Sequence, residues 1–161
     1  MVTNSAESKL PVQCNEVTSN PILQATNSAN MADVLIVDDN ADIRDLLAAI
    51  LQVDGHQVRE ASNGREGLDF VAARPPDLIL LDVEMPVLNG PEMAQGLFLR
   101  DFGDEKIPII LLSGIVGLQE VAEVIGTPYF LAKPYSPEAL LRMVDWALRE
   151  HIPPRPKLGV R

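Results

Sequence analysis

Cysteine is almost absent from this sequence. Cys14 is the single one among 161 residues, so no intramolecular disulfide can form, and a reducing compartment, the cytoplasm, is the expected setting. Cys14 lies in a polar stretch and reads as an incidental exposed thiol. Histidine is nearly as scarce: His56 and His151 stand apart and read as surface residues, which leaves a zinc site of nitrogen and sulfur ligands without support. Aromatic residues make up 4% of the chain against 47% hydrophobic residues, so the core must be aliphatic. Basic residues are also short, 13 Lys and Arg against 23 Asp and Glu for a net charge of −10. That balance argues against a nucleic-acid surface, which relies on Lys and Arg to neutralise phosphates. No apolar run approaches the ~18 residues of a membrane span, and nothing resembles a signal peptide. Neither a nucleic acid nor a membrane is therefore expected as a partner.

What is present is a repeated device. Leu78-Ile79-Leu80-Leu81, bounded by Pro76-Asp77 and Met85-Pro86, reads as a short strand buried on both faces, and it ends in Asp82. Val34-Leu35-Ile36-Val37 runs likewise into Asp38-Asp39, Ile109-Ile110-Leu111-Leu112 into Ser113-Gly114, and Tyr129-Phe130-Leu131-Ala132 into Lys133-Pro134. Each strand delivers a polar group at its carboxyl end, where open parallel α/β sheets bind their ligands. Three acids, a hydroxyl and an ammonium should converge on one shallow site.

Along the chain, residues 1–31 are rich in Ser, Asn and Thr without apolar periodicity, as expected of a disordered leader. Met31 offers an alternative start. Ile43, Leu46, Leu47, Ile50 and Leu51 follow the spacing of a helix with one buried stripe, closed by Gly55. Gln57–Ala61 is a more polar strand suited to a sheet edge. Helices follow over about Arg65–Ala73, then after Asn89-Gly90-Pro91, where Met93, Leu97 and Phe98 are the apolar positions and Asp101-Phe102-Gly103-Asp104 closes the helix, and around Leu118–Ile125. Gly67 inside its helix should cost about 1 kcal/mol relative to Ala. Pro128 places the last strand at the other edge, because proline lacks the N–H a central strand needs. Ser136-Pro137-Glu138 starts the final helix, which runs to about Glu150, and the proline-rich residues 152–161 read as an extended, flexible tail. Val121, Val124 and Ile125 read as core. Five strand–helix units joined by right-handed crossovers make a three-layer α/β sandwich, with its folded part at 32–151.

Crowding Asp38, Asp39 and Asp82 together has an electrostatic cost, since two unit charges ~4 Å apart repel by roughly 4 kcal/mol at an effective dielectric of 20. A divalent cation relieves it, and an all-oxygen donor set suits magnesium. An aspartate can also act as a nucleophile toward phosphorus, with Lys133, the Ser113 hydroxyl and backbone N–H groups supplying positive charge and donors.

In these motifs, taken together and in order, the sequence resembles the receiver domains of two-component response regulators. The matching residues are Asp38-Asp39, Asp82 with Met85-Pro86 and Asn89-Gly90, Ser113-Gly114, and Lys133-Pro134, and the resemblance covers about residues 32–150. It implies a flavodoxin-like five-stranded parallel sheet in the order 2-1-3-4-5. It further implies that Asp82 accepts a phosphoryl group from a histidine kinase or histidine phosphotransfer protein, without enzyme activity in the usual sense. Asp39, Asp82 and the main-chain carbonyl of Glu84 would bind magnesium, with Asp38 acting through water. Lys133 would pair with the phosphoryl group, aided by the backbone N–H groups of Val83 and Gly114, and Lys133-Pro134 would be a cis peptide. Ser113 would move toward the phosphoryl group while Phe130, which replaces a frequent tyrosine, shifts inward. The segment from Ser113 to Gly126 is short for the family.

With eleven residues after Glu150, the expectation is a stand-alone receiver that signals to a downstream protein target. Two rivals are an aspartate-nucleophile phosphohydrolase, with Glu84 in the place of its general acid, and a phosphorylation-independent adaptor of the same fold. On the final helix, Leu140, Val144, Ala147 and Leu148 share one face with Leu141 beside them, whereas Trp146 falls opposite, flanked by Met143. Trp and Met are enriched in interfaces, so this face is a candidate partner or homodimer contact.

Overall fold

In the computed structural model, residues 31–100 and 107–157 are described. Strands β1 (Asp33–Val37), β2 (Gln57–Ala61), β3 (Leu78–Asp82), β4 (Ile109–Ser113) and β5 (Phe130–Ala132) form one sheet. Helices α1 (Ala41–Val53), α2 (Gly64–Ala73), α3 (Gly90–Arg100), α4 (Leu118–Ile125) and α5 (Pro137–Glu150) alternate with them. Every pairing is parallel and the order is β2-β1-β3-β4-β5, the three-layer α/β arrangement expected. The polar strand β2 and the proline-led β5 take the two edges.

The aliphatic runs are unbroken because alternate residues feed two cores. Leu35, Val37, Ile79, Leu81, Ile109 and Leu111 pack toward α2, α3 and α4, and Val34, Ile36, Leu78, Leu80, Ile110 and Leu112 toward α1 and α5. All twelve are fully or almost fully buried. Burying one such side chain stabilises by roughly 1.5–3 kcal/mol, so the pattern that folds the sheet also fixes its register.

Side-chain caps start the helices. Asn40 accepts from the N–H groups of Asp42 and Ile43, and Ser136 from Ala139 N–H. Asn89 and Glu92 cap each other reciprocally at the start of α3. Gly67 now has a reason, because a Cβ there would meet Met93 Cε at 2.7 Å; its absence lets α2 and α3 approach.

Several expectations need correction. His56 is buried, not a surface residue: its Nδ1 accepts from Ala32 N–H at 3.3 Å and its Nε2 faces Asp54 at 3.3 Å. His151 is exposed, in the left-handed region after α5. Leu46 and Phe98 lie outside their helices' buried stripes, and Val124 is exposed rather than core. The tail does not run free as far as Lys157. Arg155 N–H donates to Gly126 O and Lys157 N–H to Val124 O, both at 3.0 Å, so the segment is strapped along the end of α4. Gly126 permits this: its φ is +77°, and a Cβ there would overlap the Arg155 carbonyl. The expected leader (bar Met31), the 101–104 helix stop and the last four tail residues fall outside the described residues.

Candidate functional site

Pairing of Val37 with Leu81 puts Asp38 and Asp82 side by side just past β1 and within β3, and pairing of Ser113 with Ala132 brings Lys133 alongside Gly114. The sheet register alone thus assembles the site. Oxygen atoms of Asp38, Asp39 and Asp82 lie within 4.8 Å of one another. Asp38 and Asp82 are buried while Asp39 is exposed.

The Lys133 ammonium bridges the two buried acids, 3.2 Å from Asp82 Oδ1 and 3.2 Å from Asp38 Oδ2. A cis Lys133-Pro134 peptide follows it. Burial pulls the Lys133 pKa down, but the two carboxylates outweigh it and hold the ammonium above its ordinary range. Burial pushes the Asp82 carboxyl above its ordinary value, against the opposing pull of Lys133. An acid whose charge is disfavoured by its surroundings, beside a fixed cation and at the mouth of a parallel sheet, is poised to be neutralised by a metal or a covalent group.

Asp38 is held at every polar atom. Its N–H donates to Ala61 O, its Oδ1 accepts from Asn40 N–H at 2.9 Å, and its carbonyl accepts from Arg44 Nη1 at 2.8 Å. Behind Asp82, Gly90 N–H donates to Val83 O at 3.0 Å, and a Cβ on Gly90 would stand 2.5 Å from Asp82 O. The glycine of Asn89-Gly90 therefore lets the loop press against the strand that carries the acid.

Ser113 is buried, and its Oγ accepts from Ile115 N–H at 3.4 Å, while its carbonyl accepts from Lys133 N–H. Phe130 is half-buried against the α2–α4 core. Glu84 is exposed and Val83 buried; with Met85, Asn89 and Ile115 they line a shallow depression beside Asp82. Trp146 and Met143 lie away from these acids on α5. Trp146 is 40% exposed, its ring edge-on to that of Tyr129 at 5.1 Å, and Met143 is half-buried against the α1–α5 core. The open face there is smaller than a helical wheel suggests.

The Arg44 contact was not foreseen from sequence. Its signal is faint, an arginine one turn into the helix that follows Asp38-Asp39. Val87, with φ +70° in the loop after Pro86, also carries no mark in the sequence.

An open parallel sheet of this order with an acid triad and a lysine at its carboxyl edge defines a class, and comparison agrees. Residues 34–145 match the family model for the response regulator receiver domain. The chain belongs to that family, whose members are the phosphoacceptor domains of two-component systems. It is 36% identical over 122 residues to the response regulator MprA of Mycolicibacterium vanbaalenii, covering 74% of this chain and 52% of that one. It is 35% identical to protein PilH of Pseudomonas aeruginosa, covering 73% of this chain and 98% of that one. Thus the chain spans about half the length of some relatives, such as MprA, and nearly all of others. Among solved structures, chemotaxis protein CheY4 of Vibrio cholerae superposes with a TM-score of 0.65 at 32% identity, covering 73% of this chain and 98% of that one. The receiver domain of NtrX from Brucella abortus gives 0.66 at 30% identity, covering 73% and 98%. No helix among the described residues is long and apolar enough to cross a membrane.

Proposed function

We propose that this chain takes a phosphoryl group from a phosphohistidine partner, a histidine kinase or histidine phosphotransfer protein, onto Asp82, and signals by altered protein contacts. The observation that carries this is the Asp82 carboxylate at the end of the central strand, with Lys133 Nζ at 3.2 Å and two further acids in the same cluster.

In the transfer, an Asp82 oxygen bonds to phosphorus as the bond from phosphorus to the partner's imidazole nitrogen breaks. The imidazole leaves with the electron pair and is then neutralised by a proton. Lys133 meets the incoming phosphoryl oxygens, exchanging a carboxylate contact for a phosphoryl one, and the N–H groups of Val83 and Gly114 add donors. Ser113 Oγ turns from Ile115 N–H toward the same oxygens, and Phe130 follows it inward.

The acid cluster fits a hard divalent cation: its donors are all oxygen, closely spaced and excess in negative charge. Asp39, Asp82 and the Glu84 main-chain carbonyl would hold magnesium, with Asp38 acting through water. When bound, the ion supplies charge neutralisation at the phosphoryl oxygens.

Phosphotransfer from a panel of purified histidine kinases tests the role. Label should pass to the parent chain and not to Asp82→Asn; failure of every partner to label a chain that binds magnesium would favour the adaptor reading. For the output side, Trp146 with Met143 is the proposed contact, for a downstream protein or a second copy. Trp146→Ala should weaken any self-association that beryllofluoride induces, and unchanged association would remove that face from consideration.

A further inference from the structure

We propose that Arg44 is a positioning residue for the acidic site, aiming Asp39 at a divalent cation by holding the peptide unit that joins Asp38 to Asp39. The proposal rests on the acid cluster being a metal site. A peptide unit is planar, so a bond that fixes its carbonyl oxygen also fixes the plane containing the next residue's N and Cα. Arg44 Nη1 donates to the Asp38 carbonyl at 2.8 Å, and that oxygen belongs to the peptide unit leading into Asp39.

The two acids differ in how they are held. The Asp38 carboxylate has its own partners in Asn40 N–H and Lys133. Asp39 is exposed and its carboxylate has no ion-pair partner among the described residues. Its direction is therefore inherited from the backbone, and Arg44 is the side chain that sets that backbone. The guanidinium is itself anchored: its Nε lies 3.6 Å from Glu60 Oε2 on β2, and its side chain is 17% exposed. It thus ties α1, the end of β1 and an edge strand to one carbonyl.

The sign of the effect separates positioning from simple charge. As a positive charge beside the site, Arg44 repels a cation, so its removal would tighten binding. As a positioning residue its removal loosens binding, since partners that orient metal ligands are typically worth 10-fold or more in affinity.

Magnesium affinity of the full chain, read by titration calorimetry, decides between them. Arg44→Ala should weaken the dissociation constant by about 10-fold, and Arg44→Lys, which keeps a donor and a charge, should recover most of the loss. Arg44→Gln keeps a donor without the charge and should also bind better than Arg44→Ala; it serves should the alanine variant fail to fold. Melting temperatures without metal report any purely structural effect separately. Affinity equal to or tighter than the parent's in Arg44→Ala overturns the proposal, as does a loss that neither Lys nor Gln restores. A parent chain that binds no magnesium overturns the metal site itself, and this inference with it.

Discussion

Lys133 Nζ lies 3.2 Å from Asp82 Oδ1, joining the last strand to the central one at the sheet's carboxyl edge. The same ammonium reaches Asp38 at equal distance, so one positive charge serves two buried acids and cannot neutralise both.

The first prediction follows from that imbalance. Burial raises the Asp82 carboxyl above its ordinary value in the native state. Between the ordinary carboxylate range and that raised value the folded chain binds more protons than the unfolded one, so this group's contribution to stability falls as pH rises through the window. Lys133 follows the same sign in a more alkaline window: its raised pKa contributes stability that is fully present at neutral pH and is lost as pH rises through the raised value. Without magnesium at pH 7, Asp82→Asn should therefore be more stable than the parent, by ~1 kcal/mol, because one of the crowded like charges is removed while Lys133 keeps Asp38 as its partner. Chemical denaturation at pH 5 and pH 7 checks this; an Asp82→Asn variant less stable at pH 7 would contradict it.

Magnesium should stabilise the native chain by binding the crowded acids. At 100 times its dissociation constant the linkage is worth about 2.7 kcal/mol. A thermal melt with and without the ion reads it, and Asp39→Ala should abolish the shift.

Gly90→Ala should damage the site from behind. A Cβ 2.5 Å from Asp82 O forces β3 or the loop to move, at about 1–3 kcal/mol for an overpacked contact. Loss of stability together with slower phosphorylation is expected; an alanine variant matching the parent in both would show that the loop yields freely.

Much of this was legible in the sequence because buried parallel strands leave a plain mark, an unbroken aliphatic run ending in a polar residue. The bounds of α4 and the Ser136 cap of α5 were equally plain, since spacing and caps are local. The strand order came from the family resemblance, because spacing does not choose among crossovers. What stayed hidden depends on partners distant in the chain. His56 is buried because Ala32, 24 positions away, donates to it. Trp146 is half covered because Tyr129 stands beneath it, an arrangement a wheel drawn on one helix cannot see. The strapped tail is polar and proline-rich, and its holding bonds go to backbone carbonyls that no side-chain pattern advertises.

That strap gives a further test. Arg155→Pro and Lys157→Pro each remove one N–H donated to the end of α4, and each lost bond should cost about 1 kcal/mol locally. Faster amide exchange in α4, with β1 and β3 unchanged, is the expected result. Unaltered exchange in α4 would mean the strap does not restrain it.

The assignment of Asp82 as phosphoacceptor is tested most directly by intact mass after treatment with acetyl phosphate and magnesium. The parent should gain one phosphoryl group, mapped to Asp82 by peptide analysis, and Asp82→Asn should gain none. Modification that persists in Asp82→Asn, or none in a parent shown to bind magnesium, would contradict the assignment.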